Sequence, residues 1–595
     1  MNLHLCPHLH PAPQKITPTG QTVPTSALML VDPRIDPDEV AHPQGYTLTI
    51  GSSGVTLVGH DDAGLFYGRQ TLDQLRAAYP KNVPSLSIED WPDLITRGYM
   101  LDCSRDRLPT LATVLQLVDK LARLKINQFQ LYTEHTVAYV GHEAAWRDAS
   151  PFTFDELATI QAHCNERFID LVPCQNVFGH MERWLKKSEY VHLAECPDGY
   201  DTPWGFRSPD PCSLSPAVSE SFELSADLID QLAEKSNSTL FNIGCDETLD
   251  LGQGKSKALC DEKGKATVYL DYLQKLCGRV ESHGKTPIFF GDVILNHPEL
   301  IERIPKNAVL VNWNYESTKS FMEESKQFQK AGVRFYVCPG TSSWCTLTGR
   351  GQNTIGNLRD GAEAAVACGA EGYLITEWGD HGNWQPSAIQ WLGLTYGAGV
   401  AWSLNTNRNI DTLPDAISRI AADETTGELG AILWQLSNAY ESSDVRFSNA
   451  TWWFRFLHSP ENELNEDPLQ KVSVEAAQSA LTALKNVLDT LARYAPATPE
   501  AQLLKREMTW SAQMARWACL RAAERLAGAS LTVTPCGDGQ FHASAEAFND
   551  LLTEFQALWL LRSRPGGLTD SIEKLTKVLR VADASTHDKV GSWGG

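Results

Sequence analysis

The chain lacks any Cys-x-x-Cys pair, although it holds 14 cysteines scattered from Cys6 to Cys536. With no Cys/His cluster at zinc spacing either, a disulfide framework and a structural zinc site are both excluded as organising elements. No apolar run reaches membrane-spanning length. Met1 to Gly20 carries His4, His8 and His10 but neither the basic stretch nor the apolar stretch of a secretory signal. Basic side chains are in deficit: 51 Lys and Arg face 73 Asp and Glu, a net charge of −22. Such a field repels polyphosphate backbones and anionic membrane surfaces, so neither nucleic acid nor a membrane is an expected partner. Reduced thiols in a cytoplasm are the expectation, and the composition is compatible with a homo-oligomer.

What is present is ordinary globular composition, 42% hydrophobic and 21% charged, with 17 Trp, 16 Tyr and 20 Phe. At roughly 150 residues per domain, 595 residues predict three or four domains, or one large barrel with attachments. Tyr46 to Ile50 alternates at period two, Gly51 to Gly54 turns, and Val55 to Val58 reads as a second strand. Behind Asp61 and Asp62, Leu65, Phe66, Leu72 and Leu75 recur at near-helical spacing, so residues 1–92 read as a small α+β domain.

Over 93–455 short apolar strands alternate with amphipathic helices, of which Leu111, Val114, Leu115, Val118, Leu121 and Leu124 mark one. The strand candidates are Arg97–Leu101, Asn127–Tyr132, Asp170–Pro173, Thr239–Ile243, Thr286–Phe290, Val309–Trp313, Val333–Val337 and Gly372–Thr376. Eight is the number that a (β/α)8 barrel, a TIM barrel of the α/β class, requires. Over 456–595 the strand signal fades, and Ala477, Leu481, Leu484, Leu488 and Leu491 form one helical stripe, predicting a helical C-terminal domain. Trp510 and Trp517, seven apart, read as core aromatics of that region in preference to a sugar platform.

In such a barrel the reacting groups stand just past the strands' C-terminal ends. Those positions hold Arg97, Glu134 with His135, His180, Asp246 with Glu247, Asp292, Trp313, Trp344, and Trp378 with Asp380. Neighbours on a strand point to opposite faces, so Asp246 and Glu247 can serve one substrate only where the chain has left regular pleating. The competing reading of that pair is a helix N-cap with an acidic first turn. Aromatic walls interleaved with carboxylates and an arginine suit a sugar, whose C–H faces stack and whose hydroxyls need fixed polar partners.

These segments resemble the family 20 glycoside hydrolases, the β-N-acetylhexosaminidases, over roughly residues 45–400. Gly64-Leu65-Phe66-Tyr67-Gly68-Arg69-Gln70-Thr71-Leu72 is similar to the domain preceding the barrel, Arg97-Gly98-Tyr99-Met100-Leu101-Asp102-Cys103-Ser104-Arg105 to the first barrel strand, and Asn242 to Glu247 to the His-x-Gly-Gly-Asp-Glu signature. The resemblance implies Glu247 as general acid and then base, and Asp246 as the group that orients the 2-acetamido nucleophile of the substrate itself. It further implies Arg97 on the ring hydroxyls, Trp313 and Trp378 as pocket walls, Asp380 as a hydroxyl-binding acid, and His180 with Glu134 as its acidic partner. No metal and no organic cofactor is required.

The departures mark a divergent subgroup. Cys245 stands where the family has glycine, Phe290-Gly291-Asp292 replaces Trp-Asp-acid, and Trp344 falls where a tyrosine supports the acetamido oxygen. A hydroxyl from Tyr315 or Tyr336 is the alternative to Trp344 in that role. The implied activity is exo-hydrolysis of terminal β-linked N-acetylglucosamine or N-acetylgalactosamine from an amino-sugar glycoside or oligosaccharide. The rivals are a strict galactosaminide or modified-sugar preference, and a barrel that binds sugar without cleaving it.

Overall fold

The computed structural model describes residues 8–295, 297–459, 472–526 and 543–580, so His4, Cys6 and Cys536 lie outside the described residues. In the N-terminal sheet, β1 (Lys15–Pro24), β2 (Arg34–Ile35), β3 (Tyr46–Gly51), β4 (Gly54–Gly59) and β5 (Asn82–Asp90) lie in the order β1-β5-β3-β4-β2. The expected hairpin is β3–β4, with Leu48 opposite Leu57. Tyr46, Leu48 and Ile50 turn their alternating side chains inward and are fully buried. The helix Asp62–Ala78 covers that face, and Asp61 caps it by accepting from the Gly64 amide at 2.8 Å. Strand β1 carries no period-two apolar signal, because almost all of it is exposed, and it pairs with β5 through backbone bonds.

All eight expected barrel strands form. They are β6 (Thr96–Asp102), β7 (Gln128–Thr133) and β8 (Asp170–Gln175), then, after a short hairpin of β9 (Tyr200–Asp201) and β10 (Arg207–Ser208), β11 (Leu240–Asn242), β12 (Thr286–Phe290), β13 (Val309–Trp313), β14 (Arg334–Cys338) and β15 (Gly372–Glu377). The eight close on themselves in chain order, every pairing parallel. Part of the interior is polar but satisfied: Gln130 donates to Gln128 at 3.0 Å, Asn242 to Gln130 at 2.9 Å and Gln128 to the Tyr336 hydroxyl at 3.2 Å.

The small domain is fixed to the barrel by buried polar groups. Lys125 meets Asp90 at 2.7 Å with both side chains inaccessible, and Asp90 also accepts from the Tyr46 hydroxyl and the Trp402 indole. After the barrel come the helices Val474–Arg493, Pro499–Leu526, Ala545–Arg562 and Leu568–Arg580. Trp510 and Trp517 are core residues here, each donating its indole N–H to a backbone carbonyl. The last helix is tied to the top of the barrel: Lys574 and Arg183 both pair with buried Asp106 at 2.6 Å. No helix among the described residues is long and apolar enough to cross a membrane.

Candidate active site

Strand β11 ends at Asn242, and the chain beyond it leaves the pleat: Gly244, Cys245 and Glu247 have φ of 66°, 71° and 47°. No helix begins here, the next starting at Lys257, so the helix-cap reading of the acidic pair falls away. Gly244 is required by close approach, since a Cβ there would lie 2.5 Å from Asn176 Cγ. The unfavourable backbone is held from outside. Asn176 Oδ1 accepts from the Cys245 amide at 3.1 Å, the Tyr269 hydroxyl donates to the Cys245 carbonyl at 2.8 Å, and Asp292 accepts from the Glu247 amide at 3.2 Å. The result places both carboxylates beside one imidazole: His180 Nε2 is 3.3 Å from Asp246 and 3.5 Å from Glu247.

The two acids are driven apart electrostatically. Burial opposes the charge on Asp246, but the nearby charge of His180, and then that of Arg105, outweigh it and hold this carboxyl below the ordinary aspartate value. Asn176 adds an amide donor at 2.8 Å. For Glu247 burial dominates and raises the carboxyl above its ordinary value, His180 opposing and Asp246 reinforcing the rise. For His180 burial is the largest single influence and lowers it, but the neighbouring carboxylates of Asp246 and Glu247 together outweigh burial and raise it to about 9. Asp292 is raised to about 8 by burial and then by the charges of Asp246 and Glu247. A lowered carboxyl at Asp246 next to a raised one at Glu247 is the direction of separation that acid catalysis with an oriented nucleophile demands.

Arg97 does not belong to this site. It starts β6, at the end of the barrel away from the catalytic face, and its fully buried guanidinium donates to the carbonyls of Leu94, Ile95 and Lys125 and to Gln44 of the small domain. The arginine at the site is Arg105, which follows the C-terminal end of the same strand. It pairs with Glu134 at 3.2 Å and Asp102 at 3.4 Å and approaches Asp380 to 3.9 Å. Its guanidinium lies 4.8 Å and 5.0 Å from the ring centres of Tyr132 and Trp378.

Glu134 is therefore the partner of Arg105 and of the Tyr132 hydroxyl, whereas the ring nitrogen of His180 that faces carboxylates faces Asp246 and Glu247. Asp380, raised to about 6 by burial against the pull of Arg105, keeps a side-chain exposure of 27% and stands where Trp378 also contributes. Trp313 stacks on Tyr315 at 5.3 Å, and Trp378 donates its indole N–H to the Tyr315 hydroxyl at 2.8 Å.

Trp344 is 1% exposed, edge-on to Tyr315 at 5.0 Å, and its indole nitrogen is covered by protein without a hydrogen-bond partner among the described residues. The expectation that Trp344 offers a donor to the cleft is thus corrected: it supports Tyr315 from behind. The Tyr315 hydroxyl accepts from Trp378 and also lies within hydrogen-bond reach of Thr376. Sequence reasoning missed Arg105, Asn176 and Tyr132. All three stand just after or at the end of a barrel strand, the one signal that could have found them.

The model of glycosyl hydrolase family 20, catalytic domain, matches residues 96–393, and that of the family's domain 2 matches residues 8–91. Among curated relatives, a beta-hexosaminidase of Porphyromonas gingivalis is 27% identical over 42% of this chain and 36% of its own, and hexosaminidase D of Bos taurus is 24% identical over 35% and 59%. The chain thus spans 36% of the first of these relatives and 59% of the second, less than two thirds of either. A solved chitobiase of Flavobacterium johnsoniae shares the fold with a TM-score of 0.57 at 14% identity, covering 93% of this chain and 99% of that one. A Vibrio harveyi exo beta-N-acetylglucosaminidase solved with N-acetylglucosamine also has a TM-score of 0.57, at 18% identity, covering 73% and 78%. With its barrel and its preceding domain both matched, the chain belongs to glycosyl hydrolase family 20.

Proposed function

We propose that the protein is an exo-β-N-acetylhexosaminidase that removes terminal β-linked N-acetylglucosamine or N-acetylgalactosamine with retention of configuration. The observation that carries this reading is the pair Asp246 and Glu247 around His180, the carboxyl of the first held below its ordinary value and that of the second raised above it. Glu247 gives its proton to the glycosidic oxygen as the bond to the anomeric carbon breaks. Asp246 accepts a hydrogen bond from the 2-acetamido N–H, so that the carbonyl oxygen of that group attacks the anomeric carbon and closes an oxazolinium ring. Tyr315 donates to that carbonyl oxygen, and Arg105, Glu134 and Asp380 hold ring hydroxyls between the walls of Trp313 and Trp378. Water then attacks the anomeric carbon, its bond to the acetamido oxygen breaks and the ring reopens to the free acetamido group, while Glu247, now a carboxylate, takes the water's proton and is restored.

The test compares an aryl N-acetyl-β-glucosaminide and galactosaminide with the plain β-glucoside, which lacks the internal nucleophile. The glucoside is expected to be almost inert, and Asp246→Asn is expected to slow the amino sugars while Glu247 remains. Equal turnover of glucoside and glucosaminide would refute substrate assistance, and no turnover of any amino sugar would favour a binding-only barrel. The 12 described cysteines are all unpaired thiols, which supports placing the protein in a reducing compartment such as the cytoplasm.

A further inference from the structure

One buried carboxyl beside the site takes no part in the steps above. Glu377 is the last residue of β15, directly before Trp378. It lines a cavity of about 100 Å3 with Arg107, Gln385 and Glu507, separate from the cleft that reaches Glu247. Burial raises its carboxyl to about 7, against the pull of the Ser343 and Thr341 hydroxyls and the Gln385 amide. A buried acid is costly, and its partners show what the cost maintains.

Two of those partners belong to the loop after β14. Backbone pairing of that loop with β15 runs out at Thr341 and Thr376: the Thr341 amide donates to the Thr376 carbonyl at 3.0 Å, and the Thr376 amide to the Pro339 carbonyl at 3.0 Å. One residue further, the Glu377 side chain takes over the linkage and accepts from the hydroxyls of both Thr341 and Ser343. The loop needs a hold from outside, because Ser342 and Cys345 sit at φ of 53° and 56°. It carries Trp344, which lies edge-on to Tyr315, and Ser342, whose hydroxyl accepts from Asn353 at 2.9 Å. The same Asn353 amide donates to the Tyr315 carbonyl at 2.7 Å. On either side of Glu377, Thr376 lies within hydrogen-bond reach of the Tyr315 hydroxyl and Trp378 donates to it. The Trp378 carbonyl in turn accepts from Gln385 at 2.7 Å.

We propose that Glu377 is a positioning residue of the acetamido pocket: by tying the Thr341–Ser343 turn to the end of β15, it keeps the Tyr315 hydroxyl and the Trp378 indole in register with Asp246. The proposal rests on the hexosaminidase reading, in which Asp246 and Tyr315 hold the N–H and the carbonyl oxygen of that group. A carboxylate suits the task because its two oxygens accept from two hydroxyls at once. Glutamine keeps one accepting oxygen and can donate to the second hydroxyl through its amide, whereas leucine leaves both hydroxyls without this partner. A displacement of about 1 Å in a reacting geometry costs about 10²-fold in rate, even when the altered residue touches no substrate.

Wild type, Glu377→Gln, Glu377→Leu and Ser343→Ala are assayed on aryl N-acetyl-β-glucosaminide and galactosaminide, and their affinity for a thiazoline that mimics the oxazolinium ring is measured by calorimetry. Glu377→Leu is expected to lower kcat by about 10- to 100-fold with a smaller change in KM, and to weaken the thiazoline by a similar factor. Glu377→Gln should recover most of both losses. Ser343→Ala, which keeps the acid and removes one donor, should lose about 3- to 10-fold in each, the value of one hydrogen bond. A Glu377→Leu protein that melts earlier but keeps kcat and thiazoline affinity would overturn the proposal, as would a glutamine variant as impaired as the leucine one. Where the leucine variant does not fold, a wild-type kcat in Ser343→Ala overturns it. A wild type that turns over neither amino sugar would overturn the hexosaminidase reading, whereas wild-type turnover with unaffected variants overturns the positioning role alone.

Discussion

Replacing His180 by glutamine removes the charge that separates the two acids while leaving an amide donor for Asp246. In the native protein the ring is raised from 6.5 to about 9 with only 16% side-chain exposure. A rise of about 2.5 units at 1.36 kcal/mol each is about 3 kcal/mol of preference for the charged ring in the fold. Because the coupling is mutual, Asp246 loses a comparable stabilisation of its ionised form when the charge goes. The acid limb of kcat/KM, which reports Asp246 becoming protonated, is expected to move upward by about 1–2 pH units, and the plateau to fall by about 10- to 100-fold.

Stability supplies an independent reading. A raised histidine pKa contributes stabilisation that is complete below the unfolded value of 6.5 and is lost as pH rises through about 9. The wild type should lose Tm across that window, and His180→Gln should lose less. The assay is initial rates on an aryl hexosaminide between pH 3 and 9 at constant ionic strength, alongside thermal melts. An acid limb within about 0.3 unit of wild type would refute the assignment of His180 as the source of the separation.

Glu247→Gln should fold normally and lose about 10²- to 10⁴-fold on substrates with poor leaving groups and much less on activated aryl glycosides; a loss below tenfold on a disaccharide would remove it from the role of acid. Tyr315→Phe should lower kcat by about 10²- to 10³-fold, as expected for a lost donor at a developing charge. Trp344→Phe should leave kcat near wild type, and the reverse order would restore the indole as donor. Arg105→Lys should raise KM for the amino sugar with little change in Tm, whereas Arg97→Met should lower Tm with little change in kcat/KM. Exchanged phenotypes for the two arginines would contradict their placement.

The barrel was legible because each strand is an apolar run with polar residues after it, and all eight runs appear within two residues of their expected places. The hairpin β3–β4 was legible for the same reason, and β1 was not, because an exposed strand held only by backbone bonds leaves no pattern to read. At the site, the departure of Asp246 and Glu247 from the pleat followed from two adjacent acids needing one face. The confusion of Arg97 with Arg105 arose within a single segment, where one arginine opens a strand and the other follows it. Only the end-on polarity of the barrel separates them. Trp344 could not be placed from sequence, since its burial depends on Tyr315, which comes from a different strand's loop.

The inaccessible contact between Lys125 and Asp90 has a consequence for how the molecule comes apart. Detaching the N-terminal sheet would leave an ammonium and a carboxylate stranded at a dry surface, together with the Tyr46 hydroxyl and the Trp402 indole that share the same carboxylate. Removing one partner of such a pair typically costs about 3–5 kcal/mol, a large share of the whole margin by which a protein stays folded. The sheet is therefore no removable accessory. It and the barrel should melt in one calorimetric transition, and a fragment beginning at the first barrel strand should misfold.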